Sequence, residues 1–149
     1  MTDSTDPTSD DWAQSARESL RGAELLAQAH NWRNAYMLAG LAVEQALKGR
    51  IMRHLGLNRW PARKDRPEFY SHDLVELARL AGLRERLEEA ILAGEAFGRA
   101  WMVAKDFAIN RRYPDGKSFP VRLGRDMVGA ASTPGGLVEW LNSRERLTK

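Results

Sequence analysis

No cysteine occurs among the 149 residues. That excludes thiolate zinc sites, iron–sulfur clusters, a cysteine nucleophile and any disulfide framework. Histidine is scarce: His30, His54 and His72 stand far apart, with no HExxH and no paired ExxH, so neither a metal site nor a cofactor is expected. The phosphate-binding patterns GxxxxGKS/T and GxGxxG and the nucleophile elbow GxSxG are missing too. No run approaches the roughly 18 apolar residues of a membrane span. The opening MTDSTDPTSDDW is acidic and lacks the basic-then-apolar layout of a signal peptide. A cytoplasmic protein that does not engage a membrane is expected.

What is present is 43% apolar and 29% charged residues, enough for one domain with its own core. The net charge of +3 hides an uneven distribution, with 18 arginines against 5 lysines. Asp3, Asp6, Asp10 and Asp11 make the start acidic. Arg50, Arg53, Arg59, Arg63, Lys64 and Arg66 crowd one stretch. Arg99, Lys105, Arg111, Arg112, Lys117, Arg122 and Arg125 form a second cluster. Arginine forks match phosphate geometry, so both clusters point to an anionic partner, with solubility as the plainer explanation.

The apolar periodicity is helical throughout, and no strand is expected. Residues 1–10 read as a disordered acidic tail and 11–149 as a single helical domain. Asp10 or Asp11 is placed to cap a helix from Trp12 to about His30. A second helix runs from Trp32 to about Leu55. It has almost no polar face, which marks it as central. Residues 56–70 form a Pro-containing loop whose Trp60, if exposed, could stack on a base or anchor a partner. Trp12, Trp32 and Trp101 are assigned to packing. Ser71 caps a short helix from His72 to about Leu80, and a long helical segment follows from Leu83 to about Arg112, with Gly94 and Gly98 as its alternative bend. The stretch SFPVRLGRDMVGAASTPGG, residues 118–136, reads as a loop, and a last helix runs from about Gly136 to Arg146. The expected fold is an all-α, antiparallel up-and-down bundle of four main helices plus a short C-terminal helix.

Three clusters could carry chemistry. Glu44 and Lys48 lie four apart on the apolar helix, in the favourable order. They read as a register-fixing ion pair or as a phosphate-reaching lysine with an orienting carboxylate. In SHDLVEL, Ser71 and Asp73 can satisfy free helix amides, with His72 at the same end as a capping or binding residue. In AINRRYPDGK, Arg111, Arg112 and Lys117 surround Tyr113, and Asp115 can orient a guanidinium. Cations beside an aromatic suit a nucleotide, and the plainer reading is a helix stop.

The stretches WRNAYMLAGLAVEQALKGRI, HDLVELARLAGL and RRYPD, in this order over residues 12–115, resemble the HEPN domain family. The resemblance implies a helical bundle that is usually homodimeric. Some members are metal-independent ribonucleases with an Arg, four to six residues and then a His in the last main helix. Others bind nucleotides or partner a minimal nucleotidyltransferase. This chain departs from the nuclease pattern, because no histidine follows His72. Arg66 and His72 have the spacing but precede the short helix. The expectation is therefore a nucleotide- or RNA-binding module, a partner subunit of a nucleotidyltransferase or of a defence or toxin–antitoxin system. Lys48, His72, Arg111, Arg112 and Tyr113 would bind, and Glu44 and Asp115 would orient. The alternatives are a ribonuclease toxin using His72 and Arg112, and a non-catalytic dimeric interaction domain.

Overall fold

A computed structural model describes residues 5–112, 114–132 and 135–143, with the side chains of all of these except Arg112. Every regular element among them is helical: α1 (Ser9–Gln28), α2 (Trp32–Leu55), α3 (Leu74–Leu80), α4 (Arg84–Ala93), α5 (Ala96–Ala104), α6 (Val121–Ser132) and α7 (Leu137–Asn142). Short 3-10 turns stand at Pro67–Tyr70 and Ile109–Arg112.

α2 is the axis. It packs against α1, α3, α6, α7 and the Ile109–Arg112 turn, so it has no face left for solvent over most of its length. Its expected bounds agree with the observed ones. α1 lies antiparallel along it: Gly49 meets Ser9 and Trp12, Gln45 accepts from the Ser19 hydroxyl at 2.7 Å, and Gly22 meets Leu38.

Several expected boundaries move. α1 starts at Ser9, not Trp12, because Thr8 rather than Asp10 or Asp11 caps it. The Thr8 hydroxyl accepts from the Asp11 amide, and the Asp11 carboxylate accepts from the Thr8 amide, a reciprocal capping box. The expected tail is shorter than ten residues, since Ser9 and Asp10 are helical. The Pro7 carbonyl accepts from the Trp60 amide at 2.8 Å, and the Asp6 carbonyl accepts from Arg59 at 3.0 Å. Met1–Ser4 lie outside the described residues.

The long segment expected from Leu83 to Arg112 is three pieces. Gly94 takes a left-handed φ of 70°, ending α4 and turning the chain into α5. α5 in turn stops at Ala104. The expected loop over 118–136 contains α6, whose Met127, Val128, Ala130 and Ala131 are buried. The last helix starts at Leu137, with Gly136 as its N-cap, and ends at Asn142. The stretch expected to carry it on to Arg146 lies outside the described residues from 144.

One close approach matters for the site. A Cβ on Gly40 would stand 2.1 Å from the Phe107 ring, which is itself packed against Tyr36. Gly40→Ala must therefore displace the Phe107 ring from its place on α2. A loss of about 1–3 kcal/mol in urea unfolding is expected, the usual cost of overpacking.

Candidate functional site

The site grows out of the middle of α2. Glu44 and Lys48 are buried there because that helix is covered on every side. A buried charge is costly unless paired, and the two satisfy each other: Lys48 Nζ donates to Glu44 Oε2 at 3.0 Å. The other oxygen, Oε1, lies 2.9 Å from His72 Nδ1. One buried carboxylate thus holds two side chains, Lys48 inward and His72 outward.

Lys48 does not present its ammonium to a ligand, contrary to its expected role as a direct phosphate contact. Its side chain is only 6% exposed, and its Nζ faces the rings of Trp12, Trp60 and Tyr70 at 5.7, 5.9 and 6.0 Å. Such cation–π contacts strengthen on desolvation. Trp60 is accordingly buried, not the exposed stacking residue the loop composition suggested. It sits edge-on to Trp12 at 5.0 Å and beside Phe69 at 5.2 Å. Tyr70 is anchored by its hydroxyl, which donates to the Pro61 carbonyl at 2.7 Å.

His72 is half exposed. Its backbone is fixed on both sides of the ring. Ser71 Oγ accepts from the Asp73 amide at 2.9 Å, and Asp73 Oδ1 accepts from the amides of Val75 and Glu76. Asp73, not Ser71, is therefore the cap of α3, which begins at Leu74 rather than His72. A carboxylate only accepts, so His72 Nδ1 carries the proton. Nε2 has no protein partner among the described residues and is left to the surface.

That ring borders an open cleft of about 410 Å³, with Asp73, Lys105, Asp106 and Asn110 around it. Ala108 and Asn110 also line a second cleft of about 640 Å³, shared with Arg33, Arg111, Asp115 and Phe119. The two clefts share Ala108 and Asn110 as lining residues and together make the candidate groove from His72 to Arg111. In the first, Asp73 and Asp106 outnumber Lys105, which lies 3.3 Å from Asp106. In the second, Arg33 and Arg111 outnumber Asp115, so the excess positive charge lies at the Arg111 end.

Arg33 organises that end. Its Nη1 donates to the Arg111 carbonyl at 2.8 Å, and its guanidinium lies 5.0 Å from the Phe119 ring centre and 4.0 Å from Asp115. Asp115 therefore orients Arg33. It also accepts from the Lys117 amide at 3.0 Å, closing the turn after Pro114. Sequence reasoning passed over Arg33. The available signal was a cation in the first turn of a helix, which the helix dipole disfavours and which therefore implies tertiary partners. Of the remaining expected site residues, Arg111 is exposed, whereas the Arg112 side chain and Tyr113 lie outside the described residues.

The shared wall is pinned by Tyr36, whose hydroxyl accepts from the Ala108 amide at 2.9 Å. Burial pushes the Tyr36 hydroxyl pKa up from its ordinary value. A raised folded-state pKa means that stability is present below the ordinary tyrosine range, near about pH 10, and is lost as pH rises through the raised value. Tyr36→Phe is expected to lose about 1–2 kcal/mol at neutral pH and to flatten the alkaline limb of the stability curve, as read by thermal melts at pH 7 and above the tyrosine range.

The first basic cluster is largely engaged within the molecule. Arg50 and Arg53 donate to carbonyls at the end of α7, Arg59 to Asp6, and Arg66 to Glu68 at 2.8 Å. Among the described residues no cluster of His, Asp or Glu is placed to hold a metal ion, and no helix is long and apolar enough to cross a membrane. No known family model, curated protein or solved structure matches the chain.

Proposed function

We propose that this chain is a HEPN-like helical module that binds a nucleotide or a single-stranded RNA segment in the groove between His72 and Arg111. It would act as a subunit beside a minimal nucleotidyltransferase or within a defence system. The observation that supports this most is the Glu44–His72 contact at 2.9 Å, which turns a free imidazole nitrogen toward a groove whose far end is cationic. Arg111 and Arg33 would take the phosphate, Asn110 and Phe119 would face the nucleoside, and His72 would contact the next polar group along the ligand. In this reading Glu44 is a positioning residue, and Lys48 acts only through it.

The test is calorimetric titration with AMP and fluorescence anisotropy with a short labelled oligoribonucleotide. Arg111→Ala is expected to weaken both by about tenfold, or about 1.4 kcal/mol. The oligonucleotide affinity should fall steeply with salt, because phosphate contacts release counterions. No binding of either ligand to the wild-type protein would remove the reading.

The same Glu44–His72 contact favours a second reading, RNA cleavage with His72 as general base, since a carboxylate at Nδ1 leaves Nε2 as the proton acceptor. RNA degradation in EDTA that stops in His72→Ala would select it over binding alone.

A further inference from the structure

Beside the His72 cleft, with which it shares Lys105, α3, α4 and α5 enclose a pocket of about 330 Å³. Val75, Ala78, Leu87, Ile91 and Trp101 form its apolar wall. Ala78, Leu87 and Trp101 are buried, while Val75 is 51% exposed, so an apolar interior opens directly to solvent. Water in such a space has few polar partners and is readily displaced by an apolar group.

The rim carries both signs, but they do not cancel. Glu76 is held by Arg79 through two bonds, 3.0 and 2.6 Å, and Glu88 by Arg84 at 3.5 Å. Lys105 is the remaining charge on the rim. Its neighbour Asp106, at 3.3 Å, faces the His72 cleft and does not line this pocket. An exposed pair of adjacent residues holds its partner weakly. The pocket thus has an apolar interior and, at one end, an ammonium whose carboxylate partner lies outside the pocket. Its volume is at the small end for ligand sites, enough for an aryl ring or a short acyl group and too little for a long lipid tail.

We infer that this pocket is a second ligand site, which has only Lys105 in common with the His72 cleft, for a compact amphipathic anion. An aryl or short acyl group enters between Leu87, Ile91 and Trp101, where an aryl ring can pack against the indole. Its carboxylate, sulfonate or phosphate head lies at Lys105.

Anilinonaphthalene sulfonate, an aryl sulfonate, is the probe. Titrated into the native protein, it is expected to give saturable, blue-shifted fluorescence from a single site. Lys105→Glu should weaken that binding by about tenfold, and Ile91→Glu should abolish it. Arg21→Glu, exposed on α1, should leave it unchanged. Circular dichroism establishes that each variant is folded. If Ile91→Glu is not, Val75→Glu at the exposed lip replaces it, with the same loss expected. Absence of saturable binding to the native protein, or equal affinity in the wild type and in folded Lys105→Glu and Val75→Glu, overturns the inference. Val75 does not line the groove, so Val75→Glu should bind AMP as the wild type does, which tells failure of this inference from failure of the groove reading.

Discussion

Glu44→Ala is expected to lower the unfolding free energy by about 3–5 kcal/mol, the cost of leaving a buried charge without its partner. The charge left behind is Lys48, whose side chain is 6% exposed and whose ammonium has Glu44 as its carboxylate and aromatic rings around it. The companion result separates pair breaking from pair removal. The double variant Glu44→Leu with Lys48→Met should recover most of the loss, because two apolar side chains suit that interior as well as the ion pair does. Urea unfolding of the wild type, Glu44→Leu, Lys48→Met and the double variant gives the coupling directly. Equal and additive losses would mean that the pair is not a buried unit. The double variant also leaves His72 without its anchor, so its fold and its ligand binding should part company.

Arg50→Met is expected to cost about 2–4 kcal/mol, with the damage concentrated at α7. Arg50 is 3% exposed on α2. It donates to the carbonyls of Leu141 and Ser143 at 3.3 and 3.1 Å and lies 5.2 Å from the Trp140 ring centre. These carbonyls belong to a helix end, where acceptors lack partners within the helix and the dipole favours a cation. Methionine fills much of the volume but supplies no donor. Arg53 still donates to Leu141 at 2.6 Å, so α7 should loosen without the whole chain unfolding. Hydrogen exchange checks this: amides of α7 should lose protection while those of mid-α2 keep theirs. Uniform loss across both helices would contradict the assignment.

The parts of the fold that local spacing controls were legible. α2 has so many apolar positions that both its bounds and its central place follow from the sequence, and the Glu44–Lys48 pair follows from a four-residue spacing. α6 was not legible. Gly124 and Gly129 lower its propensity, yet Gly124 is what lets it approach α2, where an added Cβ would stand 2.8 Å from the Trp32 carbonyl oxygen. Its buried Gly124, Met127, Val128 and Ala131 do keep helical spacing, a signal that the two glycines masked.

The candidate site divides in the same way. His72 and Arg111 stood out as residue types in short motifs. That Glu44 would join Lys48 to His72 depends on how α3 docks on α2, 28 residues away from Glu44 in sequence. Trp60 was misread because a Pro- and Arg-rich segment usually signals exposure. Here Arg59 and the Trp60 amide are tied to the backbone before α1, which folds the loop inward. Charge counting misled for a related reason: guanidinium groups that look available in sequence are engaged on carbonyls.

The most direct test of the central claim is an amide-detected NMR titration of the wild-type protein with AMP. The account predicts saturable shifts confined to His72, Asp73, Ala108, Asn110, Arg111 and Phe119, with the surface of α1 silent. Saturable shifts centred elsewhere, or none at all, would contradict it.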